Sequence, residues 1–181
     1  MNEELVVLLD DDGRAIGTAP KSGVHSTHTP LHRAFSCHLY DESGRTLVTR
    51  RALTKKTWPG VWTNAFCGHP GPGESDTDAI VRRAEEELGV RIREIRPVAP
   101  EFRYRAVDAS GIVENEICPV YSAVIDGDLS PDPGEVAEWQ WMDPADLELI
   151  ARRAPHMMSP WFVEQITWAG ALRAAGERTL I

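Results

Sequence analysis

Between Cys67 and Val90 the chain reads CGHPGPGESDTDAIVRRAEEELGV, a glycine-rich turn that runs directly into an amphipathic helix. Ser75 is suited to cap the helix start, since its hydroxyl can accept a free N–H of the first turn. Ile80, Ala84 and Leu88 recur at helical spacing, and Gly89 supplies the stop. The segment is therefore predicted to be helical from Ser75 to Leu88, with one apolar face that needs a partner layer. Glu87 follows Arg83 by four residues, and Glu86 follows Arg82 in the same way. Each pair shares a stripe of the helix. Alone, such a face fits a solvated, salt-bridged surface. Joined to Glu74 and the glycine turn, its carboxylates form a loop-helix able to hold Mg²⁺, a cation that prefers oxygen ligands and bridges phosphates.

The rest of the chain supplies the partner layer. ELVVLLD, the turn DDG and RAIGTA read as a hairpin, while KSGVHSTHTPL has the composition of a loop and carries His25 and His28. HRAFSCHLY alternates, with Phe35, Cys37 and Leu39 on one side and His32, Ala34, Ser36 and His38 on the other. TLVTR is another strand. EFRYRA, the turn DASG and IVENEICPVYSAVI read as a second hairpin, and EVAEWQWMD as a strand leading into a short helix at Ala145–Arg153. A closing helix is predicted over Trp161–Ala175. Strands and hairpins with a few helices argue an α+β fold in which helices cover a mixed sheet. The length of 181 residues suits a single domain spanning 1–181, with no linker or repeat.

Charge and cysteines narrow the function. A net charge of −9 argues against nucleic acid as a partner. A small anion would need a local reversal of sign, and RRALTKK supplies four cations in seven residues. No apolar run approaches a membrane span, and MNEELVVLLDDDG lacks the basic start of a signal peptide. Three scattered cysteines, Cys37, Cys67 and Cys118, do not make a disulfide framework, so a reducing cytoplasm is expected. Monomer and homodimer both remain open.

Two further patterns concern metal chemistry. In VENEI, Glu114 and Glu116 are two apart on a strand and point to one face, an arrangement tolerated in solvent or wanted around a cation. His25, His32 and His69 lie in separate segments. With the two glutamates they would form a His₃Glu₂ site, richer in oxygen than a closed structural zinc site. Spacing alone matches no compact zinc motif.

The glycine-rich turn and helix resemble a Nudix box, G-x5-E-x7-R-E-U-x-E-E-x-G-U with U apolar, through Gly68, Glu74, Arg82, Glu86, Glu87 and Gly89. Arg83 stands where the box has a glutamate. The stretches HTPLHRAFS, TLVTRRAL, KKTWPGVWTN, CGHP, FRYRA, SGIVENEICPVY and SPW together resemble the type I isopentenyl diphosphate isomerases, over roughly Leu5 to Trp168. The resemblance implies a Nudix-type α/β/α sandwich over 31–168, with an N-terminal extension at 1–30 that contributes to the active site. It implies metal ligands at His25, His32, His69, Glu114 and Glu116, holding Mn²⁺, Mg²⁺ or Zn²⁺. A catalytic cysteine falls at Cys67 and an acid at Glu116, aided by Tyr104. It further implies a diphosphate-bridging Mg²⁺ at Glu87, diphosphate contacts at Lys21, Arg51, Lys55 and Arg83, and a hydrocarbon-facing Trp161. NAFCGHPGPGE departs from the family pattern at Ala65, Phe66 and the Gly-Pro-Gly turn.

The reaction so implied, a 1,3-allylic proton shift between isopentenyl and dimethylallyl diphosphate, has need of such groups. An unactivated alkene is a poor base, so its donor must be a strong acid in a dry pocket. A tertiary cation calls for an aromatic face in place of a nucleophile, which suits Trp161. Cys67 would take the second proton as thiolate, activated by modest positive charge nearby. Two other readings stay open: a Nudix diphosphohydrolase that activates water, and a non-catalytic diphosphate-binding module. Arg83 weighs against the hydrolase, because it replaces a carboxylate with a phosphate anchor.

Overall fold

The structure is a computed structural model and describes residues 4–168. Its chain begins with β1 (Leu5–Leu9), β2 (Ala15–Pro20), a single helical turn α1 (Lys21–Val24), β3 (His32–Arg33) and β4 (Phe35–Tyr40). There follow β5 (Thr46–Arg51), β6 (Trp62–Thr63), β7 (Phe66–Gly68), helix α2 (Asp76–Leu88), β8 (Arg91–Ala99) and β9 (Arg103–Val107). The remainder is β10 (Val113–Ile117), β11 (Val120–Asp126), β12 (Val136–Met142), α3 (Pro144–Arg153) and α4 (Pro160–Thr167).

One sheet runs β2-β1-β3-β10-β9, and the other β12-β5-β4-β11-β8, with β6 and β7 paired to β5 and β4. The second sheet is covered on both faces. Phe35, Cys37, Leu39 and Leu47 pack under the apolar stripe of α2, Ala79, Ile80, Ala84 and Leu88. Tyr40 and Val48 pack with Leu147 of α3 and with Trp161, Phe162 and Ile166 of α4. Burial of each large side chain here is worth about 1.5–3 kcal/mol relative to exposure. The expected α/β/α sandwich is thus built by β4 burying both of its faces, with Phe35, Cys37 and Leu39 toward α2 and Ser36, His38 and Tyr40 toward the α3–α4 side.

Helix α2 follows the sequence closely. Ser75 Oγ accepts from the Asp78 N–H, and Gly89 sits in the left-handed region at φ 60°, its N–H donating to the Glu85 carbonyl and that of Val90 to the Ala84 carbonyl. Elsewhere the structure corrects the reading. KSGV is not irregular but forms α1. IVENEICPVYSAVI is not one arm of a hairpin: it breaks at Cys118–Pro119 into β10 and β11, which belong to different sheets. Ala34 breaks HRAFSCHLY in the same way. The two breaks lie side by side, because β3 pairs parallel with β10 and β4 parallel with β11. Ala34 donates to the Ile117 carbonyl and Ser36 to that of Pro119, so the backbone bonding continues across the gap.

Strand β8 escaped the sequence pattern. Glu94 adopts φ 55° and the pairing with β11 slips nearby, which spoils the period-two alternation. The predicted closing helix is present as α4, and its portion beyond Trp168 lies outside the described residues.

Candidate active site

The paired breaks place β3 and β10 where their side chains meet residues at the end of β7. Glu116 lies opposite His32 on one side and Tyr104 on the other. His69 follows β7, and His25 follows α1. Glu116 Oε1 lies 3.0 Å from His69 Nε2, 3.3 Å from His32 Nε2 and 3.9 Å from His25 Nε2. The four ligand atoms fall within 4.8 Å of one another. His25 Nε2 is buried without a hydrogen-bond partner. His32 Nδ1 is 2.9 Å from the Pro30 carbonyl, a contact that assigns its proton to Nδ1 and leaves the Nε2 lone pair facing the cluster. Converging lone pairs of this kind fit a divalent cation that accepts nitrogen and oxygen.

Glu114, the fifth residue of the expected set, stands beside those four. Its oxygens accept from Thr57 Oγ1 at 2.7 Å and from Tyr104 at 2.6 Å. Tyr104 also lies 3.0 Å from Glu116 Oε2. With one O–H against two carboxylates, Tyr104 completes both contacts only when one of them carries a proton. Burial pushes the Glu116 carboxyl up, but the three imidazoles gathered around it, His25, His32 and His69, outweigh that and hold the group well below the usual carboxylate range. Burial opposes protonation of His32, and its contact with Glu116 reverses the balance and raises it. His69 is pulled down to about 4, chiefly by burial.

A cavity of about 450 Å³ adjoins the cluster. Of the site residues that the resemblance implies, all but the fully buried His32 line it: Lys21, His25, Arg51, Lys55, Cys67 and His69, then Arg83, Glu87, Tyr104, Glu114, Glu116 and Trp161, whereas Glu74 and Glu86 of the box lie outside it, paired with Arg82. Every one of them is in contact with other side chains. Lys21 pairs with Glu4 at 2.9 Å and Lys55 with Glu135. Arg83 is buried and donates through Nε to Glu87 Oε1 at 2.8 Å, with Glu135 at 3.5 Å. Arg51 donates to the Thr57 carbonyl at 3.1 Å and lies 5.7 Å from the Trp161 ring centroid. Gly68 is required where it stands, since a Cβ would come within 2.8 Å of Arg83 Cγ and 2.9 Å of Phe35.

Cys67 corrects an expectation. In place of nearby positive charge, burial raises its thiol to about 12; hydrogen bonds with Ser36 and Asn64 oppose the rise, and Glu116 and Glu87 add to it. Its sulfur lies 3.0 Å from Ser36 Oγ and accepts from Asn64 Nδ2 at 3.3 Å.

A NUDIX domain family model matches residues 30–162. The isopentenyl-diphosphate Delta-isomerase of Paenarthrobacter aurescens (strain TC1) is 61% identical over 158 residues, 87% of this chain and 86% of that protein. The chain belongs to the Nudix-type isopentenyl-diphosphate Delta-isomerase family. The protein of the same name from Kocuria rhizophila is 56% identical over 173 residues, 96% of each chain. In fold, this family member is similar to DR0079 from Deinococcus radiodurans, with a TM-score of 0.70 over 90% of this chain and 97% of that one at 20% identity.

Some residues lining this cavity or buried behind its wall had no role in the sequence reading. Asn64 joins two that did, accepting from Trp161 Nε1 at 3.1 Å while donating to Cys67. Thr57 joins Glu114 to Arg51. Glu135 joins Lys55 to Arg83 across the sheet. Asn64 and Thr57 fall inside KKTWPGVWTN, a stretch already marked by the family pattern. Nothing local to EVAEWQW sets Glu135 apart from any exposed strand glutamate.

Proposed function

We propose that this protein interconverts isopentenyl diphosphate and dimethylallyl diphosphate by a 1,3-allylic proton transfer. The observation that carries the reading is that Cys67 and the Glu116–Tyr104 pair line one cavity with Trp161 and four cationic side chains. Lys21, Arg51, Lys55 and Arg83 gather the diphosphate, where the planar fork of arginine suits phosphate oxygens. The carboxylates that now pair with Lys21, Lys55 and Arg83, and the Thr57 contacts of Arg51, give way to the substrate. Binding at that end fixes the alkene between acid and base.

Glu116 donates the first proton. A carboxyl held well below its usual range is a strong acid once protonated, which an alkene demands. Tyr104 steadies that proton, with the Glu116 carboxyl donating to the phenol oxygen while Tyr104 donates to Glu114. The Trp161 ring faces the tertiary cation and offers no lone pair to trap it. Cys67 removes the second proton.

The cofactors belong to the same proposal. A divalent cation held by His25, His32, His69 and Glu116, with Glu114 alongside, supplies fixed positive charge beside the acid, and Mn²⁺, Mg²⁺ and Zn²⁺ all suit those donors. Glu87 would hold a Mg²⁺ ion, which would supply positive charge for the diphosphate. The whole chain acts as one domain, its first thirty residues contributing Lys21 and His25. Three free cysteines agree with a reducing cytoplasm. Among the described residues, no helix is long and apolar enough to cross a membrane.

The test is incubation with isopentenyl diphosphate, Mg²⁺ and Mn²⁺ in D₂O. The expected product is an equilibrium mixture with dimethylallyl diphosphate that carries deuterium and is accompanied by no free phosphate. Phosphate release without isomerisation would establish a hydrolase instead. No conversion of any kind would leave a diphosphate-binding module.

A further inference from the structure

Glu135 is the last residue before β12 and lines the same cavity as the four cationic side chains. Its backbone is pinned on both sides. The Glu135 N–H donates to the Asp132 carbonyl at 2.9 Å, and the Asp132 N–H donates to the Glu87 carbonyl of α2 at 2.9 Å. The Glu135 carbonyl accepts from the Ala52 N–H at 2.9 Å, and the Ala52 carbonyl accepts in turn from the Lys55 N–H at 3.1 Å. The residue is thereby tied to the end of α2 on one side and to the loop after β5 on the other. Each of those elements carries one of the cations, and the Glu135 carboxylate reaches both. Its Oε2 pairs with Lys55 Nζ, and its Oε1 lies 3.5 Å from Arg83 Nη2. A carboxylate that offers one oxygen to each of two nitrogens imitates a phosphate group bridging them.

Two observations separate a competitor from a scaffold. Arg83 does not need Glu135 to keep its place. Its Nε donates to Glu87 Oε1 at 2.8 Å, its Nη2 to the same oxygen at 2.5 Å, and its Nη1 to Glu86 Oε2 at 2.9 Å. Glu135 is also the carboxylate better placed to leave. Its side chain is 23% exposed against 10% for Glu87, and it lies 3.5 Å from Arg83 where Glu87 lies at 2.5 Å. A swing of that side chain into water costs little, because ion pairs open to solvent are weak. While it stays, Lys55 and Arg83 face Glu87 and Glu135, and the charges cancel. A diphosphate gains net positive charge at that end only by displacing one of the two carboxylates.

We propose that Glu135 is an internal competitor for the diphosphate, taking the place of a phosphate group between Lys55 and Arg83 and so setting how tightly the ligand is held. It acts only through those two cations and moves no proton. The proposal rests on the reading of Lys55 and Arg83 as diphosphate contacts.

The experiment uses the full chain with Mn²⁺ and Mg²⁺ both saturating. It measures the Kd of inorganic pyrophosphate by titration calorimetry, and KM for isopentenyl diphosphate. Loss of a half-exposed ion pair predicts that Glu135→Gln binds pyrophosphate about fivefold tighter, with KM falling in parallel. A scaffold role predicts the opposite sign, since cations left loose hold pyrophosphate more weakly. Glu135→Asp keeps the charge but is too short to reach both cations. It is expected to tighten binding about twofold and carries the test should Glu135→Gln fail to fold. Glu138→Gln is the control: it removes the same charge from the same strand, where Glu138 pairs with Arg50 at 3.3 Å outside the cavity. Its Kd should stay within about twofold of the wild type. Unchanged or weaker pyrophosphate binding in the Glu135 variants overturns the competitor, and so does equal tightening in Glu138→Gln. If the Kd values shift as expected while isopentenyl diphosphate is not converted, the isomerase reading fails and the competitor stands. If neither the wild type nor Glu135→Gln binds pyrophosphate, the diphosphate contacts and the competitor fall together.

Discussion

His38 and Cys67 show how far a side chain's chemistry depends on what surrounds it. Cys67 and Cys37 are both raised by burial, yet only Cys67 meets hydroxyl and amide donors and borders the cavity. His38 is the counterpart among the bases: fully buried between β4 and α4, it stays neutral at the ring and bonds to the Gln165 amide. That neutrality has a stability consequence. The folded ring titrates at about 4 and the unfolded one at 6.5, so between those values the unfolded chain binds the additional proton. The contribution is complete above pH 6.5 and is lost as pH falls toward 4. Urea unfolding at pH 7 and pH 4.5 is expected to show His38→Asn losing about 2–3 kcal/mol less on acidification than the wild type. Equal losses in the two proteins would refute this.

At the scale of elements, the loop and helix from Gly68 to Gly89 were legible because their signals are local: a capping serine, a helical period and a terminal glycine. The prediction here concerns that glycine. Gly89 lies at φ 60°, and a Cβ added there would meet the Ser130 backbone oxygen at 2.5 Å. Gly89→Ala is therefore expected to cost about 2–3 kcal/mol, from left-handed strain and from the clash together. Gly89→Asn, which relieves the strain but not the clash, should recover only part of the loss. A denaturation midpoint unmoved by the alanine change would show that the helix end shifts freely. Where signals are not local, reading failed. IVENEICPVYSAVI looks like one strand because nothing in its composition marks Pro119 as a passage between sheets, and the position at which it divides is set by β3 and β4 more than eighty residues earlier. Strand β8 was hidden by its irregularity at Glu94. The site was legible for a different reason. Its histidines and glutamates were identifiable as residue types, and the resemblance grouped them; the pairing of Lys55 and Arg83 with Glu135 needed the sheet.

For the whole molecule, the His25, His32, His69 and Glu116 cluster, which could hold a metal ion, is also a tie between layers. His32 and Glu116 come from the first sheet, His69 follows a strand of the second, and His25 comes from the segment after α1. Four lone pairs drawn within 4.8 Å of one another repel unless a proton or a cation lies among them. A cation that binds only the folded arrangement therefore stabilises it by mass action, by about 2.7 kcal/mol at a hundredfold excess over Kd. For a chain of this size that corresponds to roughly 5–10 °C in Tm. Removing the metal with a chelator is expected to lower Tm by that amount, and restoring Mn²⁺ or Zn²⁺ to recover it. His32→Ala should melt low with or without the chelator, since its cluster is already broken. Cys67→Ala should keep the full metal-dependent shift, because the cysteine stands beside the cluster and not in it. A wild-type Tm indifferent to complete, analytically verified metal removal would sever the link between the site and the joining of the two sheets. In that event the histidines would have to be held in place by the protein alone, with protons shared among them in place of a cation.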